Sequence, residues 1–397
     1  MTSRANYPPS LQPHARLPSS QPHDHCVYLR VFEGCNLHCQ HCFIPSNPKR
    51  MTLDDIAALP ETLADRIPPG SRVLLQWHGG EPTLMGVDFI RAAIDRLNGS
   101  GAPYTWIHGI QTNLMTYDAD WRALYEEHFG SEVGVSWDPK IRLLNRRALD
   151  SNPAFNARFD ARLAQLVQDG LTPYVVVTAT KTLFKAFPNP FDFFEHWRVR
   201  GVRHVHLERV TPTGYARQNW DFVGLTNHDY AAAMSRWARA YSRYKSSLDD
   251  PGALFLSPID SLSQSVSSLL EGAPQPAGCW SGACDTRFHT VDASGYKRGC
   301  TALTSEDDNR ASNHRPDYGA DLRETRRLRT FDCARCPFKS ICSSGCLALD
   351  FDDGSGECSG GYSLFKNLAE ISGHPDAGTI SARAPEVSPL RNTTRIP

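Results

Sequence analysis

The stretch Cys35-Asn-Leu-His-Cys39-Gln-His-Cys42-Phe43 carries more information than any other part of this chain. Its cysteines follow the spacing C-x3-C-x2-C, which allows each thiolate to bind one iron of a cubane cluster. The fourth iron then receives no ligand from this stretch. An open metal position is typical of catalytic sites, whereas structural sites are closed. The spacing therefore predicts a reactive iron–sulfur site early in the chain.

Composition and charge exclude several classes of protein. The chain has 397 residues, of which 40% are hydrophobic and 21% charged, as in an ordinary water-soluble globular protein. A formal net charge of -1 gives no reason to expect nucleic acid or acidic lipid as a partner. No run of eighteen apolar residues and no secretory signal are visible. We therefore expect a cytoplasmic protein with no membrane partner.

The distribution of the twelve cysteines predicts two metal-binding regions. A reducing compartment disfavours disulfides, so metal binding or redox chemistry is expected instead. Four cysteines lie between residues 26 and 42, none lies between 43 and 278, and the other eight lie between 279 and 358. This pattern indicates one early metal centre, a long cysteine-free domain and a metal-rich C-terminal module.

The cysteine-free part alternates strand and helix patterns, which predicts a parallel sheet with right-handed crossovers. β-rich runs predict strands over 26–32, 71–80, 105–113, 132–138, 172–180 and 203–210. Helical periodicity predicts helices over 52–66, 86–98, 154–169, 191–200 and near 227–245. Functional loops should follow the carboxyl ends of the strands, where parallel α/β folds bind their ligands.

Together with Gly79-Gly80-Glu81-Pro82, about forty residues later, the cysteine triplet resembles the radical S-adenosylmethionine (radical SAM) enzymes. The resemblance implies an α/β fold, a partial (β/α)6 TIM-type barrel, with a 4Fe–4S cluster on Cys35, Cys39 and Cys42. It also implies that the open iron chelates S-adenosylmethionine through its amino and carboxylate groups.

The same resemblance implies which residues contact S-adenosylmethionine. The Gly79–Pro82 stretch would bind the methionyl amino group, and polar residues at strand ends would hold the ribose and carboxylate. The expected cofactor contacts are Phe43, Gly79, Gly80, Glu81, Pro82, Gln111, Asn113, Ser136 and Asp138. As an alternative to contacting the cofactor, the polar residues would form hydrogen bonds at the strand ends, and Phe43 would be buried in the core. Three basic residues follow, and either one of them binds the methionyl carboxylate or all lie in solvent: Arg142, Arg146 and Arg147.

The C-terminal cysteines resemble the SPASM module, a radical SAM extension with two auxiliary 4Fe–4S clusters. By that resemblance one cluster is bound by Cys279, Cys284, Cys300 and Cys346. The other is bound by Cys333, Cys336, Cys342 and Cys358. A pair of zinc knuckles is the alternative, because C-x2-C spacing also suits zinc. Only Cys26 is left over, and we expect a buried thiol there.

These features divide the chain into five segments. We expect flexible tails at 1–24 and 371–397, a radical SAM barrel over 25–248, a linker over 249–275 and the SPASM module over 276–370. Residues 211–225, after the last predicted strand, either line a substrate cleft or pack as a loop.

The resemblance implies a maturase that oxidises, and cross-links, a ribosomally made precursor peptide. A reducing donor such as flavodoxin or ferredoxin would supply electrons, and a separate protein is an option for recognising the peptide's leader. The main alternative is an anaerobic sulfatase-maturating enzyme, which makes formylglycine. That family has an acidic residue directly after the cysteine matching Cys300, where this chain has Thr301. A non-enzymatic iron–sulfur electron carrier is a further alternative. The sequence does not identify a catalytic residue.

Overall fold

The computed structural model describes residues 22–44, 48–144, 150–250, 254–304 and 318–374. The strands within these ranges are β1 (His25–Phe32), β2 (Arg72–Gly79), β3 (Thr105–Thr112), β4 (Glu132–Ser136), β5 (Thr172–Ala179), β6 (His204–Arg209), β7 (Phe255–Ser257), β8 (Phe288–Asp292) and β9 (Gly295–Arg298).

Helices follow most of the strands. The first nine are α1 (Leu53–Ala57), α2 (Leu59–Leu63), α3 (Val87–Asn98), α4 (Ala119–His128), α5 (Asn152–Gln168), α6 (Lys181–Ala186), α7 (Pro190–Arg198), α8 (Gly214–Gln218) and α9 (Trp220–Val223). The remaining five are α10 (Asn227–Ser246), α11 (Ile259–Leu270), α12 (Thr301–Thr304), α13 (Tyr318–Asp332) and α14 (Tyr362–Ser372). No helix in the described ranges combines the length and apolarity needed to cross a membrane.

All nine strands form one open sheet in the order β7-β6-β5-β4-β3-β2-β1-β8-β9. Every neighbouring pair is parallel except β8 and β9, which form an antiparallel hairpin. The sheet curls without closing, so the predicted α/β fold with a partial TIM-type barrel is confirmed. The hairpin belongs to the cysteine-rich C-terminal part, and its strand β8 extends the barrel sheet beside β1.

Side chains alternate along each strand between an apolar outer face of the sheet and a polar inner face. On β1, Val27, Leu29 and Val31 are fully buried in the main hydrophobic core. Because successive side chains point to opposite faces, Tyr28 and Arg30 point inward. At the amino-terminal end of the lumen, Cys26 packs with Leu74 and Ile107 in a small apolar cluster, as expected for a buried thiol.

Several segments differ from the sequence prediction. Helix α4 follows β3 at a place where no helix was predicted. The helix predicted over 52–66 is divided into α1 and α2, because Pro60 lies at the start of a new helix and cannot continue the old one. The predicted linker 249–275 contains β7, which pairs with β6, and α11, which packs on α14. Paired backbone and buried apolar side chains therefore order residues 255–270 of this segment. Most of the two predicted tails lies outside the described residues.

Candidate active site

The cysteine loop after β1 is held from two sides by backbone hydrogen bonds. On one side, the N–H groups of Gly80 and Glu81 donate to Phe32 and Gly34, at 2.9 and 3.0 Å. On the other side, His38 and Gln40 donate to the carbonyls of 143 and 141, at 2.8 and 2.9 Å. The loop is therefore fixed at the carboxyl-terminal end of the sheet, where the fold predicts ligand binding.

Glycine is required at residues 79 and 80 by this close approach. A Cβ on Gly79, whose φ is +132°, would lie 2.2 Å from the carbonyl oxygen of Phe32. A Cβ on Gly80 would lie 2.4 Å from that of Gly34. The two glycines thus allow β2 to pack directly against the start of the cysteine loop, a role that the sequence alone did not separate from ligand contact.

Glu81 joins the ends of β2 and β3. Its buried carboxylate accepts hydrogen bonds from the Thr83 N–H and hydroxyl, the Thr112 hydroxyl and the Asn113 N–H, at 2.7 to 3.1 Å. Burial raises the pKa of Glu81, and these hydrogen bonds act in the opposite direction. Pro82, also buried, begins a short 3-10 helix. The carboxylate is thus engaged with the protein, and it orients Asn113.

Asn113 and Arg142 bring polar hydrogens to the cysteine sulfurs. The amide of Asn113 donates to Asn36 Oδ1 at 2.7 Å and lies 3.8 Å from Cys35 Sγ. The guanidinium of Arg142 lies 3.7 Å from Cys39 Sγ. Burial raises the pKa of the Cys35 thiol to about 12. Donors and a positive charge at the sulfurs favour the thiolate form that iron requires.

Asp138 lies beneath the loop and holds Arg142 in place. It is fully buried and accepts hydrogen bonds from Arg142 Nη2 at 2.7 Å, His41 Nε2 at 3.2 Å and the Thr178 N–H at 2.6 Å. Burial raises the pKa of this carboxyl, but His41 and Arg142 offset that effect and keep the pKa below its usual range. Arg146 and Arg147 lie outside the described residues.

Phe43, Gln111 and Ser136 border the inner side of the loop. Gln111 donates to the Ser136 hydroxyl at 2.8 Å. The Phe43 ring stacks on the His78 imidazole, with centroids 6.2 Å apart. Burial lowers the pKa of His78 to about 4, so its ring is neutral. Its Nδ1 is buried without a hydrogen-bond partner among the described residues, which fits a bound group that offers a polar atom beside Phe43.

The segment 211–225 packs against the cysteine loop. The N–H of Tyr215 donates to the Cys42 carbonyl at 2.8 Å, and the Asn219 side chain donates to the Gln40 carbonyl at 3.0 Å. Gly214 lies so close that a Cβ there would be 2.6 Å from the Cys42 carbonyl oxygen. Helix α8 therefore buttresses the loop, which favours the packing interpretation of this segment.

The C-terminal cysteines gather into two groups. One cavity is lined by Cys333, Cys336, Cys342 and Cys358, together with Phe338, Phe351, Tyr362 and Phe365. In the other group, burial and the neighbouring thiols of Cys346, Cys300 and Cys284 raise the pKa of Cys279. Arg326 donates to Cys284 Sγ at 2.9 Å. Among the described residues no three potential ligands converge on a single metal ion. In a 4Fe–4S cluster each cysteine binds its own iron, so such convergence is not required.

Sequence reasoning missed a buried connection between the cysteine loop and the C-terminal module. Arg30, on the inner face of β1, donates to Glu33 Oε1 at 3.1 Å. Glu33 lies two residues before Cys35. Arg30 also donates to the Thr301 hydroxyl at 2.9 Å and the Thr301 carbonyl at 2.6 Å. The sequence offered one signal, a charged residue inside a strand of buried apolar residues.

The comparisons with known proteins agree with this geometry. No protein-family model matches the chain. The solved structure of native anSMEcpe with bound AdoMet and Cp18Cys peptide superposes with a TM-score of 0.66 at 15% identity, covering 90% of this chain and 98% of that one. Streptococcus suis SuiB bound to precursor peptide SuiA gives a TM-score of 0.55 at 13% identity, covering 82% and 72%.

The chain has the fold of the radical SAM maturases. Among curated relatives, the serine-type anaerobic sulfatase-maturating enzyme of Klebsiella aerogenes is 32% identical over 130 residues, 31% of this chain. That match spans about a third of the relative's length, 32%. The cysteine-type anaerobic sulfatase-maturating enzyme of Clostridium novyi is 22% identical over 363 residues, 85% of this chain and 93% of that protein. The predicted resemblance to radical SAM maturases is confirmed.

Proposed function

We propose that this chain is a radical SAM peptide maturase that oxidises a ribosomally made precursor peptide and forms a cross-link in it. The observation that carries the proposal is the geometry of the cysteine loop. Cys35, Cys39 and Cys42 lie at the ligand-binding end of a partial barrel, on a loop held rigidly by neighbouring backbone. The unpartnered Nδ1 of His78 lies next to them, beside Phe43.

The residues of the loop suit a 4Fe–4S cluster with S-adenosylmethionine on its open iron. When bound, this pair supplies a 5′-deoxyadenosyl radical that takes a hydrogen atom from an unactivated carbon. Cys35, Cys39 and Cys42 would hold the cluster. Arg142 would place a positive charge beside Cys39, and Glu81 would keep the strand ends rigid. A rigid, water-excluding site is what positions one carbon of the peptide against a reactive radical.

The C-terminal module would hold two auxiliary 4Fe–4S clusters. Each group of four cysteines offers a complete ligand set, so neither cluster has an open iron for substrate. Such clusters suit electron transfer. A peptide that loses two hydrogens needs an acceptor for the second electron, so the auxiliary clusters support an oxidative reaction.

Formation of formylglycine on a sulfatase is the second candidate, and the names of the curated relatives favour it. The contacts of Thr301 argue against it. The matching position in that family is acidic, whereas here a hydroxyl is present, and it accepts a hydrogen bond from Arg30. A threonine hydroxyl is a poor base at neutral pH. We therefore place the precursor-peptide reaction first.

The proposal includes partners and a location. The peptide binds in the barrel lumen, a reducing donor such as flavodoxin or ferredoxin delivers electrons, and a separate protein is an option for recognising the leader. Unprotected iron–sulfur clusters with thiolate ligands suit a reducing cytoplasm.

The test uses protein reconstituted anaerobically with iron and sulfide, with S-adenosylmethionine and dithionite. We expect 5′-deoxyadenosine, and with a synthetic peptide copy of a short open reading frame that adjoins this chain's gene, a product lighter by two hydrogens. The Cys26→Ala variant is the matched control, because that thiol lies in an apolar cluster at the other end of the lumen.

A reconstituted protein that binds iron but releases no 5′-deoxyadenosine would establish the alternative, a non-enzymatic electron carrier. When a sulfatase-type Cys-x-Pro-x-Arg peptide is supplied as well, release of 5′-deoxyadenosine with formylglycine as the only peptide product would establish the sulfatase alternative. Loss of turnover in Cys26→Ala, with normal iron content, would show that the thiol has a role that its position does not suggest.

A further inference from the structure

Glu208 lies on the inner face of β6, near the carboxyl-terminal end of that strand. Val205 and Leu207 are fully buried in the main core, so His204, His206 and Glu208 alternate onto the opposite, lumenal face. The Glu208 side chain is 49% exposed. It is therefore a carboxylate that a molecule entering the lumen can contact.

A chain of hydrogen bonds holds this carboxylate. His206 Nε2 lies 3.2 Å from Glu208 Oε2, and His206 Nδ1 lies 2.8 Å from the Ser257 hydroxyl on β7. Its place inside the lumen acts to raise the pKa of Glu208, but the hydrogen bond from His206 offsets that effect, so the pKa lies below the usual range. The carboxylate is therefore ionised and oriented before any ligand arrives.

The charge of Glu208 acts on groups in both cysteine-rich regions of the chain. Its charge acts on His78, which stacks on Phe43 beside the cysteine loop. It also acts to raise the pKa of Cys279 and Cys346 in the first C-terminal cysteine group. Glu208 therefore interacts electrostatically with a neighbour of the cysteine loop and with two cysteines of the C-terminal module.

We propose that Glu208 is a catalytic residue that accepts the proton released when the peptide is oxidised, with His206 and Ser257 as positioning residues. This inference rests on the proposed function. For each two-hydrogen oxidation, one hydrogen atom leaves the peptide carbon to form the 5′-deoxyadenosine C–H bond. An oxidised auxiliary cluster, held by the C-terminal cysteines, would accept one electron, and Glu208 accepts one proton. The electron pair freed by that proton completes the new bond in the peptide.

The contacts of Thr301 leave room for such a residue. The position directly after Cys300 carries no carboxylate, and Arg30 binds both of its oxygens. The charge of Glu208, on β6, acts on two cysteines of the same group. A carboxylate from β6 can therefore take the role of base without any acidic residue in the C-terminal loop.

The test compares Glu208→Gln, Glu208→Asp and the exposed control Glu61→Gln in reconstituted protein. The probe is an equimolar pool of synthetic peptide copies of the short open reading frames that adjoin the gene and a sulfatase-type Cys-x-Pro-x-Arg peptide. We expect Glu208→Gln to keep iron content and 5′-deoxyadenosine release, but to lose product by about 100-fold or more, the usual contribution of a general base. An organic radical on the peptide should accumulate in freeze-quenched samples. Glu208→Asp should restore more product than Glu208→Gln.

Product from Glu208→Gln within about threefold of the parent rate overturns the role of Glu208 while leaving the proposed function intact. Loss of 5′-deoxyadenosine in Glu208→Gln at full iron content also overturns it, because the residue then acts before hydrogen abstraction. A parent protein that converts neither peptide overturns both the proposed function and this inference. Glu61→Gln should match the parent in every measurement.

Discussion

Arg30 and Thr301, 271 residues apart in the chain, are joined by two hydrogen bonds from one guanidinium, 2.9 Å to the hydroxyl and 2.6 Å to the carbonyl. A third hydrogen bond reaches Glu33, 3.1 Å away. Arg30 is completely buried. The loop with Cys35, Cys39 and Cys42 and the loop after Cys300 are therefore fixed to the same side chain, which sets the relative position of the two cysteine-rich regions.

Replacement of Arg30 by Met should destabilise the protein severely. Glu33 would remain buried without its guanidinium partner, and breaking a buried ion pair from one side costs about 3–5 kcal/mol. Thr301→Val removes one hydroxyl and should cost about 1 kcal/mol. Anaerobic thermal unfolding measures both effects. Equal melting temperatures for Arg30→Met and the parent would contradict the structural importance of this connection.

Arg142 and Asp138 should show strong coupling. Arg142→Gln leaves the fully buried Asp138 with His41 and one backbone donor, so the cysteine loop should loosen and the free energy of unfolding should fall by about 3–5 kcal/mol. Asp138→Asn in the same chain should recover part of that loss. A double-mutant cycle on unfolding, with iron content measured in parallel, checks this. Additive effects of the two changes would show that the pair does not act as a unit.

Iron content separates the proposed clusters. Fully reconstituted protein should bind about twelve irons, four for each cubane cluster. Changing Cys35, Cys39 and Cys42 to Ala should lower this to about eight and abolish 5′-deoxyadenosine release. Stoichiometric zinc in anaerobically purified protein would instead support the zinc-knuckle alternative for the C-terminal cysteines.

Cys336→Ala should uncouple radical formation from product formation. Cys336 lines the cavity of the second C-terminal cysteine group, away from the loop after β1. We expect 5′-deoxyadenosine to persist and modified peptide to disappear, because the electron outlet is lost. Metal sites also stabilise small domains, so far-UV circular dichroism must confirm folding. A folded variant that makes product at the parent rate would exclude an outlet through this cluster.

A sulfatase-type peptide should not be converted to formylglycine. The side chain after Cys300 is a threonine bound by Arg30, and no carboxylate occupies that position to take the proton from a Cys or Ser. Mass spectrometry of a Cys/Ser-x-Pro-x-Arg peptide after anaerobic turnover provides the measurement. Thr301→Asp should not introduce the activity, because Arg30 would pair with the new carboxylate. Formylglycine in either sample would contradict this assignment.

The fold was predictable from local pattern, since each strand from β1 to β6 carries its own β-rich run and most of the longer helices between them carry their own periodicity. Helix α4, after β3, was not predicted. The joining of β8 to β1 was not, because the two strands are far apart in the chain and only tertiary packing brings them into register. The same limit applies to the site. Cysteine spacing indicated iron, but spacing cannot show that Arg30 reaches Thr301.

The glycines before Glu81 illustrate a different limit. From sequence, Gly79 and Gly80 indicated close approach of backbone to something, and a ligand was the natural candidate. The structure shows that the backbone of the cysteine loop itself occupies that space. A glycine pattern reports the absence of room for a Cβ, and it does not say which atoms take up the room.

The pairing of β8 with β1 limits how the chain can be divided. Five consecutive residues of β1, Cys26 to Arg30, each face a partner on β8. A fragment ending before β8 would expose those N–H and C=O groups along a flat, apolar strand edge, which is the usual starting point of intermolecular aggregation. The barrel should therefore not fold separately from β8. A newly made chain must keep this edge protected until residue 292 has been synthesised. Shortened versions should precipitate rather than fold.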